Sequence, residues 1–384
     1  MQGADPTSHT LAAAYSDPFP TEAPLRLVVF ADNFGASQSI AFIEGLQAAR
    51  SDGRAAVSLV EEAAFGPDQG LRDCDGAREL AQAEMERTSA TTVVLSRFGH
   101  SGAYEGIRQA AAARGLGLHV HIDDDLFDLP VTAGIERYRV ARHPRRIQTL
   151  HRSLCEAEVV IAATGALADR VARMTGHARI GWLENGTAGR PWPRRAGSGG
   201  PLVIGYMGSA SHGPDLEMVV PALTAVLTRH PDIRVELFGS IARQPAADLL
   251  PGAVVRHDVV VGDYSAFKAK LMGLGWDIGL APLLATPYNR CKTATKWTEY
   301  AEAGIAVVAS DIEVYQPMFA AGAAMAASPK QWAHALEGLI RSPDLRRGLI
   351  GAADQLLASR FGWERLEASV LALLQRGYPQ RAAA

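Results

Sequence analysis

The stretch that decides the fold is residues 281–316, APLLATPYNRCKTATKWTEYAEAGIAVVASDIEVYQ. A polar loop at its start follows an apolar strand, and a helix is predicted from about Lys292 to Glu302. Gly304 predicts the end of this helix, because a glycine at that position readily adopts the left-handed conformation. A second strand is predicted at Ile305–Ala309. This strand, loop, helix, strand order predicts a parallel sheet, and ligands of open α/β sheets bind at the carboxyl ends of the strands.

The predicted helix carries Lys292, Lys296 and Glu299 on one side, because they are spaced by four and three residues. Two lysines near a helix N-terminus oppose the helix dipole. A bound phosphate would remove that conflict, since the exposed amides and both ammonium groups could hold it. A solvated face with a Lys296–Glu299 pair, stabilising by about 0.3 kcal/mol, is the alternative.

Length and composition restrict the class of protein. A chain of 384 residues predicts two domains. Its net charge of −3 gives no overall attraction to nucleic acid. Three scattered cysteines have no metal-ligand spacing, which favours a reducing cytoplasmic location. No apolar run approaches the roughly 20 residues of a membrane helix.

The chain alternates predicted strands and helices twice, which indicates two α/β domains with mostly parallel sheets. A stretch rich in glycine and proline interrupts the alternation and reads as a linker. The predicted boundaries are a flexible N-terminal tail at 1–24, a first domain at 25–188, a linker at 189–200, a second domain at 201–361 and a closing helix within 362–384.

Three adjacent carboxylates, Asp123, Asp124 and Asp125, follow the predicted strand at 118–122. Like charges this close repel, so a site that uses them needs a cation or several donors. They could hold a divalent metal that bridges a nucleotide diphosphate, or act as a base or hydrogen-bond acceptor for a substrate hydroxyl. An acidic turn that caps the next element is the third interpretation.

Positive charge is concentrated between Arg137 and Arg152. The residues concerned are Arg137, Arg139, Arg142, His143, Arg145, Arg146 and Arg152. Such a segment could contact anionic lipid or a phosphate-bearing acceptor. A solvated helix face is the alternative.

A glycine-containing loop, GYMGSASHG at 205–213, follows the first strand of the second domain. Small residues let a phosphate approach the backbone, and a helix N-terminus attracts it. A similar loop lies at 97–102. Neither matches the dinucleotide-binding fingerprint, and the P-loop, hydrolase and zincin signatures are absent from the sequence.

The second half resembles the nucleotide-sugar-binding domain of glycosyltransferase family 4, whose retaining enzymes have the two-domain GT-B fold. The similar segments are 205–212, 235–240, 280–283 and 292–310. Glu299 matches the second glutamate of the family's Glu-x7-Glu, and the first falls on Cys291. The segment from Asn289 to Tyr300 is closer to a subgroup written Asn-x-x-Lys-Ser-x-x-Lys-x-x-Glu-Tyr. In the first half, 94–97, 121–130 and Glu184-Asn185-Gly186 are similar to that subgroup.

The resemblance implies two Rossmann-like domains facing each other across a cleft, with the C-terminal helix crossing back to the first. It implies transfer of a sugar, with retention, from a nucleoside-diphosphate sugar to an acceptor hydroxyl, without a metal or other cofactor. The acceptor would be a glycan or glycolipid in bacterial surface polysaccharide or glycolipid assembly. The location would be cytoplasmic, or peripheral at the inner face of the membrane through the basic segment.

The site residues implied by the resemblance fall into three groups. The predicted catalytic residues are Lys292, Asp124 and Asp125. The predicted donor-binding residues are Gly208, Ser209, His212, Gly239, Tyr288, Asn289, Lys292, Thr293, Lys296 and Glu299. The predicted acceptor-binding residues are Phe34, Gly35, Arg97, Asp123, Asp124 and Asp125.

Two other functions remain open on the sequence. A nucleotide-sugar epimerase or phosphorylase would have the same fold. A non-catalytic nucleotide-sugar-binding protein is favoured by Cys291, which replaces the family's first glutamate.

Overall fold

A computed structural model describes residues 15–20, 22–183, 200–252, 254–260, 264–319 and 323–374. The predicted Asn185-Gly186 turn and all of the predicted linker except Gly200 lie outside these residues. The contacts divide the chain into two units. Unit 1 contains residues up to Asp123, Ala141–Leu183 and the chain from Glu367 onward, and unit 2 contains Asp124–Val140 and the chain up to Leu366 that follows Leu183.

Unit 1 is built on a seven-stranded sheet in the order β1-β3-β2-β4-β5-β6-β7. The strands are β1 Tyr15–Ser16, β2 Leu25–Ala31, β3 Ala55–Glu61, β4 Thr92–Ser96, β5 Leu118–Ile122, β6 Val159–Ala162 and β7 Ile180–Trp182. All neighbours are parallel except β1, which is antiparallel to β3. The interior strand β2 is apolar and buried from Leu27 to Ala31, as expected of a parallel sheet covered by helices on both faces.

Helices connect these strands. They are Ala36–Gln38, Gln47–Ser51, Cys74–Arg87, Ser101–Ala113, Pro144–Glu156 and Gly165–Thr175, with a π-helical stretch at Ser39–Glu44. Single 3₁₀ turns lie at Glu62–Phe65 and Gly70–Asp73. The helix Ile135–Ala141 begins in unit 2 and ends at the first residue of the next segment of unit 1.

The end of the predicted N-terminal tail is attached to the sheet. Tyr15 pairs with Leu59 of β3. Asp17 accepts a hydrogen bond of 2.9 Å from the amide of Val57, and it forms an ion pair of 2.6 Å with Arg50. Composition could not reveal this, because the attachment depends on partners that are distant in the sequence.

Unit 2 is built on a six-stranded parallel sheet in the order β10-β9-β8-β11-β12-β13. The strands are β8 Val203–Met207, β9 Arg234–Phe238, β10 Val254–His257, β11 Ile278–Ala281, β12 Ala306–Ser310 and β13 Ala323–Ala326. Counted from β8, this is the 3-2-1-4-5-6 order of the Rossmann fold. The sequence does not predict β13, because its alanines and single methionine give no strand pattern.

The helices of unit 2 cover both faces of its sheet. They are Gly213–Arg229, Tyr264–Leu274, Pro287–Arg290, Thr295–Glu302, Gln316–Phe319, Pro329–Arg341 and Pro343–Ser359. Short 3₁₀ turns lie at Val131–Ala133, Ala210–His212, Ser240–Arg243 and Pro245–Leu249. One core cluster contains Leu216, Leu223 and Trp332, and the other contains Trp297, Tyr300 and Phe238.

The predicted helix from Lys292 begins later than expected, at Thr295. Pro287 at the start of a separate short helix and the Thr286 side chain that caps it form an independent turn. Thr293 and Thr295 then bond to each other through their hydroxyls at 2.7 Å, and such side-chain bonds compete with helix formation. Lys292 therefore lies before the helix. Gly304 has a φ of +70°, which confirms the predicted helix end.

The closing helix runs from Trp363 to Leu374. Its Glu367 belongs to unit 1 and accepts hydrogen bonds of 2.9 Å from the amide of Ala49 and from the guanidinium of Arg54. The chain therefore passes from unit 2 into unit 1 within this helix. Among the described residues, no helix is both long and apolar enough to cross a membrane.

Candidate functional site

The order of strands in unit 2 reverses between β8 and β11, which lie next to each other at the centre of the sheet. The loops that leave two such strands turn to opposite sides, so a crevice forms at their carboxyl ends. The loop after β8 contains Gly208 to His212, and the loop after β11 contains Leu283 to Asn289. The stretch that decides the fold thus places its polar loop at this switch point.

Gly208 and Gly239 bring two loops into direct contact. The amide of Gly208 donates to the Phe238 carbonyl at 3.0 Å, and the amide of Ile241 donates to the Gly208 carbonyl at 3.1 Å. Gly239 has a φ of +97°, and a Cβ there would lie 2.6 Å from the Gly208 oxygen. Only glycine fits this position without displacement of the Gly208 loop.

His212 is held by the first turn of the following helix. Its Nδ1 lies 2.7 Å from Asp215, and the other carboxylate oxygen of Asp215 accepts from the amide of Leu284 at 2.9 Å. Burial, and next the charge of Lys296, lower the pKa of His212 to about 4. The imidazole is therefore neutral at physiological pH. Asp215 links the loops after β8 and β11.

Lys296 points back to the end of β8. Its Nζ donates to the Met207 carbonyl at 2.7 Å and lies 4.9 Å from the centroid of the Tyr206 ring. A Cβ on Gly208 would be 3.5 Å from this nitrogen. Burial lowers the pKa of Lys296 to about 8. The ammonium group is thus placed at the glycine loop, where it could contact an anion bound there.

Glu299 is one helical turn further along and is buried. Its carboxylate accepts a hydrogen bond of 2.8 Å from the hydroxyl of Tyr264. Burial raises the pKa of Glu299 to about 7. Lys296 and Glu299 therefore have different hydrogen-bond partners, and a solvated helix face does not describe them.

Lys292, which precedes the helix, is half-buried and contacts a carboxylate. Its Nζ donates to Asp124 at 3.3 Å and lies 4.8 Å from the centroid of the Tyr288 ring. The second oxygen of Asp124 accepts from Arg137 at 2.9 Å. Another nitrogen of Arg137 is 3.5 Å from the hydroxyl of Ser211, in the loop after β8. All of these residues belong to unit 2.

A cavity of about 220 Å³ lies between the two loops and the segment that contains Asp128 and Pro130. Its walls include Ser211, His212, Tyr288, Asn289 and Lys292. The side chain of Asn289 donates to the Leu284 carbonyl at 2.9 Å, which fixes the loop after β11. Four residues predicted to bind the donor, His212, Tyr288, Asn289 and Lys292, thus share one cavity.

Of the other predicted donor-binding residues, Ser209 and Thr293 have local hydroxyl partners. Ser209 lies 2.8 Å from Ser211, within the loop after β8. Thr293 bonds to Thr295 just before the helix, as described above.

The three adjacent aspartates have different surroundings. Asp123 belongs to unit 1, whereas Asp124 and Asp125 belong to unit 2. Asp125 is buried and accepts a bond of 3.2 Å from the amide of Phe127 in its own turn. The interpretation as an acidic turn therefore fits Asp125. A metal site needs several carboxylate, histidine or cysteine side chains whose ligand atoms lie close together. In the described part of the chain, one group of three such residues meets this condition, Asp68, Asp73 and His100.

In unit 1 the predicted acceptor-binding residues lie at the carboxyl edge of the sheet. Arg97, with a φ of +52°, forms ion pairs with Asp32 at 2.9 Å and with Asp123 at 3.2 Å. Ser37 donates to the same oxygen of Asp123. Burial raises the pKa of Asp32 to about 6, although Arg97 opposes this shift. These groups follow β2, β4 and β5.

Phe34 and Gly35 lie beside this group. The amide of Phe34 donates to Glu61 at 2.6 Å, and the amide of Gly35 donates to Gln38 at 3.1 Å. The backbone of this loop is therefore fixed by side chains of unit 1.

Three arginines of the basic segment pair with carboxylates of the unit to which each arginine belongs. Arg139 pairs with Glu136 at 2.7 Å, Arg146 with Glu62 at 2.6 Å, and Arg152 with Glu156 at 2.7 Å. These pairs reduce the charge that the segment presents.

The sequence did not indicate Tyr264, Asp215 or Asp32 as site residues, and it indicated Arg137 only as part of the basic segment. Asp215 had a weak signal, because it lies one helical turn after His212. Asp32 lies two residues before the predicted Phe34, at the end of β2. Tyr264 and Arg137 reach the site from distant positions, and no spacing rule relates them to it.

No protein-family model matches the sequence, and no curated protein matches it. Among solved structures, Anabaena Alr3699/HepE in complex with UDP-glucose is similar over 90% of this chain and 98% of its own, with a TM-score of 0.63 and 16% identity. This chain has the GT-B fold. That fold consists of two sheets with flanking helices, and the sheet of unit 2 has the Rossmann strand order.

Two further structures share the fold of this GT-B chain. A glycosyltransferase from Rickettsia africae covers 91% of this chain and 98% of its own, with a TM-score of 0.60 and 12% identity. A putative UDP-N-acetylglucosamine 2-epimerase from Listeria monocytogenes covers 91% and 95%, with a TM-score of 0.53 and 10% identity. The likeness establishes the fold and leaves the reaction to the residues of the site.

Proposed function

We propose that the protein is a glycosyltransferase that moves a sugar, with retention, from a nucleoside-diphosphate sugar to an acceptor hydroxyl. Unit 2 binds the donor and unit 1 the acceptor. The observation that carries the proposal is the arrangement at the switch point of unit 2. Lys296 lies at the Gly208 loop, Lys292 lies in the cavity wall and Glu299 is buried on the helix between β11 and β12.

The two lysines suit the leaving group of this reaction. Departure of a nucleoside diphosphate concentrates negative charge on its phosphate oxygens. Fixed cations and backbone amides that face this charge stabilise the transition state, and they need no reorganisation during the reaction. The backbone at Gly208 can approach a phosphate closely because this residue has no side chain of its own. Tyr288 and Asn289 belong to the cavity wall against which the sugar would rest. Thr293 follows Lys292 directly and would contact the sugar or the phosphates.

Glu299 suits the nucleoside part of the donor. An ionised carboxylate accepts two hydrogen bonds in the geometry that neighbouring ribose hydroxyls offer. Tyr264 already donates to one of its oxygens, which fixes the orientation of the carboxylate. Cys291, in place of the family's first glutamate, is buried and contributes a structural turn through its amide.

The proposed acceptor side of the reaction uses the edge of unit 1. Asp123 and Arg97 present a carboxylate and a guanidinium in a fixed geometry, beside the backbone of Phe34 and Gly35. A carboxylate there can accept the hydrogen bond of an acceptor hydroxyl and orient its oxygen. The acceptor class proposed is a glycan or glycolipid of bacterial surface polysaccharide or glycolipid assembly.

The donor is identified by thermal shift with UDP, GDP, ADP and dTDP. A nucleotide at a hundredfold excess over Kd stabilises the folded protein by about 2.7 kcal/mol. The corresponding sugar nucleotides are then incubated with a panel of acceptors, and the anomeric configuration of the product is read by NMR.

Lys292→Gln should lower kcat about a hundredfold, because it removes a charge that faces the leaving group. Lys330→Gln, at an exposed helix position, is the matched control. An inverted product would contradict retention, and no transfer from any bound donor would contradict the proposal.

A nucleotide-sugar epimerase is the second candidate, because the Listeria monocytogenes structure has the same fold. Incubation of the bound donor without an acceptor separates the two. Isomerised donor indicates an epimerase, and intact donor with an acceptor-dependent product indicates a transferase. A binding protein without activity would show nucleotide stabilisation and neither product.

The proposed location is cytoplasmic, with peripheral contact at the inner face of the membrane through the basic segment. Liposome flotation with and without anionic lipid tests this contact, and a variant with Arg139, Arg142 and Arg145 changed to Gln is the comparison. Equal flotation of both proteins contradicts the proposed membrane contact.

Full activity in EDTA is expected, since the proposed mechanism uses lysines where other enzymes use a metal.

A further inference from the structure

Asp124 lies between two cations of unit 2. One oxygen is 3.3 Å from Nζ of Lys292 and the other is 2.9 Å from the guanidinium of Arg137. The side chains of Asp124 and Lys292 are only 14% and 17% exposed, whereas that of Arg137 is 39% exposed. One carboxylate therefore bridges an ammonium and a guanidinium at the edge of solvent.

The bridge is located at the proposed phosphate site. Lys292 is part of the cavity wall, as is Ser211, and Arg137 lies 3.5 Å from the Ser211 hydroxyl. Ser211 belongs to the loop that follows Gly208. A molecule that occupied the cavity and the glycine loop would come within reach of both cations.

A phosphate is a stronger ligand for these cations than a carboxylate. A diphosphate carries more negative charge and more acceptor oxygens than Asp124, and a guanidinium binds phosphate oxygens in a bidentate manner. We propose that Arg137 and Lys292 form one anion site, which Asp124 occupies in the absence of donor and which the donor diphosphate takes by displacing Asp124. This inference rests on the proposed function and adds Arg137 and an internal competitor to it.

The inference predicts that substitutions of Asp124 and Arg137 change the affinity for a diphosphate in opposite directions. Asp124→Asn keeps the shape of the side chain and removes the competing charge, so a diphosphate should bind more tightly. Arg137→Gln removes one of the two cations, so a diphosphate should bind more weakly. A salt bridge with a purely structural role would give lower stability in both variants and no increase in affinity in either.

The test is calorimetric titration of the full chain with inorganic pyrophosphate and, separately, with the nucleotide found by thermal shift, both in EDTA. We expect Asp124→Asn to bind pyrophosphate about three- to fivefold more tightly than the unmodified protein and Arg137→Gln about three- to fivefold more weakly. In an Arg137→Gln, Lys292→Gln background, Asp124→Asn should have no further effect. Asp344→Asn and Arg139→Gln make the same charge changes at exposed ion pairs outside the cavity wall and should bind like the unmodified protein.

The outcomes separate this inference from the proposed function. Equal pyrophosphate affinity in Asp124→Asn and the unmodified protein overturns the displacement of Asp124, even if sugar transfer is demonstrated. Unchanged affinity in Arg137→Gln overturns the role of Arg137. The opposite-sign changes with pyrophosphate, together with no nucleotide binding, would support the anion site and contradict the glycosyltransferase.

Discussion

At the scale of single residues, Gly239 shows how one backbone position determines the geometry of the site. Two effects act against any side chain there: the positive φ and the approach of the Gly208 carbonyl to 2.6 Å from a Cβ. Gly239→Ala should therefore destabilise the protein by about 3 kcal/mol in urea unfolding, more than the left-handed conformation alone would cost. Gly252→Ala is the control, because Gly252 has a φ of +77° and no atom within 4 Å of its Cβ. Equal losses in both variants would show that the contact with Gly208 is unimportant.

Glu299 gives a pH dependence at the same scale. Its pKa is raised on folding to about 7 by burial, so in the window from 4.5 to 7 the native state holds a proton that the unfolded state has lost. The contribution of this group to stability is therefore complete below 4.5, falls as the pH rises through the window and is constant above about 7. In Glu299→Gln this loss is absent.

The measurement is a series of urea unfolding curves from pH 5 to pH 8. The stability of Glu299→Gln relative to the unmodified protein should increase as the pH rises toward about 7 and then level off. Glu217→Gln, at an exposed position of the helix Gly213–Arg229, is the comparison and should follow the unmodified protein. Parallel curves for Glu299→Gln and the unmodified protein would mean that the carboxyl is not perturbed by burial.

The sequence predicted those site residues whose relations are local. Lys296 and Glu299 are three residues apart, so their common helix could be predicted, and the Gly208 loop follows an evident strand. Spacing placed Lys292 on the same helix, which was wrong, because Pro287 and the threonines that follow form separate turns. Arg137 and Tyr264 reach the site from distant positions, and only the packing of whole elements brings them there.

At the scale of elements, two central strands of unit 2 have a glycine where an aromatic ring covers the sheet. Gly205 of β8 is paired in register with Gly279 of β11. A Cβ on Gly205 would lie 1.9 Å from the ring of Trp276, and one on Gly279 would lie 2.8 Å from the ring of Tyr300. The two rings are 6.1 Å apart, and the Tyr300 hydroxyl accepts from the amide of Met207 at 2.9 Å. Small residues in these strands thus let the site helix Thr295–Glu302 pack closely on the sheet.

Gly205→Ala should destabilise the protein by about 3 kcal/mol, because Trp276 is buried and its ring must move. Loss of near-UV circular dichroism and a lower urea midpoint would report this. Gly351→Ala is the matched control, since Gly351 lies inside the helix Pro343–Ser359 and has no atom within 4 Å of its Cβ. Alanine is favoured in a helix interior, so this variant should gain about 0.8 kcal/mol. A Gly205→Ala variant as stable as the unmodified protein would contradict the close packing of Trp276.

Element by element, strands rich in valine, leucine and isoleucine were predictable, and β5 has the bounds predicted for it, Leu118–Ile122. The edge strands β1 and β13 were not predicted. Each pairs with a single neighbour, both are short, and β13 consists of alanines and a methionine, which do not favour a strand. The order of strands could not be read from the sequence either, because it depends on which crossovers pass to each side of the sheet.

At the scale of the whole molecule, the chain forms two units whose boundaries do not follow a single cut in the sequence. Residues 124–140, inside the predicted first domain, belong to unit 2, and residues 367–374 of the closing helix belong to unit 1. The alternation of strands and helices predicted two domains. It could not predict that these two segments belong to the other unit, because short segments and single helices carry no pattern that shows which sheet they join.

Glu367 provides a test of the assignment of the closing helix to unit 1. Its buried carboxylate accepts from the amide of Ala49 and from Arg54, so Glu367→Ala leaves a buried donor without its acceptor and should destabilise unit 1 by about 2 kcal/mol. Hydrogen exchange read by mass spectrometry should become faster in the helix Gln47–Ser51 and in β3, while β8 and the site helix Thr295–Glu302 keep the exchange rates of the unmodified protein. Glu364→Ala removes the same charge from an exposed position one turn earlier in the closing helix and should change neither unit by more than a few tenths of a kcal/mol. Faster hydrogen exchange confined to unit 2 would contradict the assignment of Glu367 to unit 1. It would mean that the helix Gln47–Ser51 and β3 are stable without the Glu367 contacts.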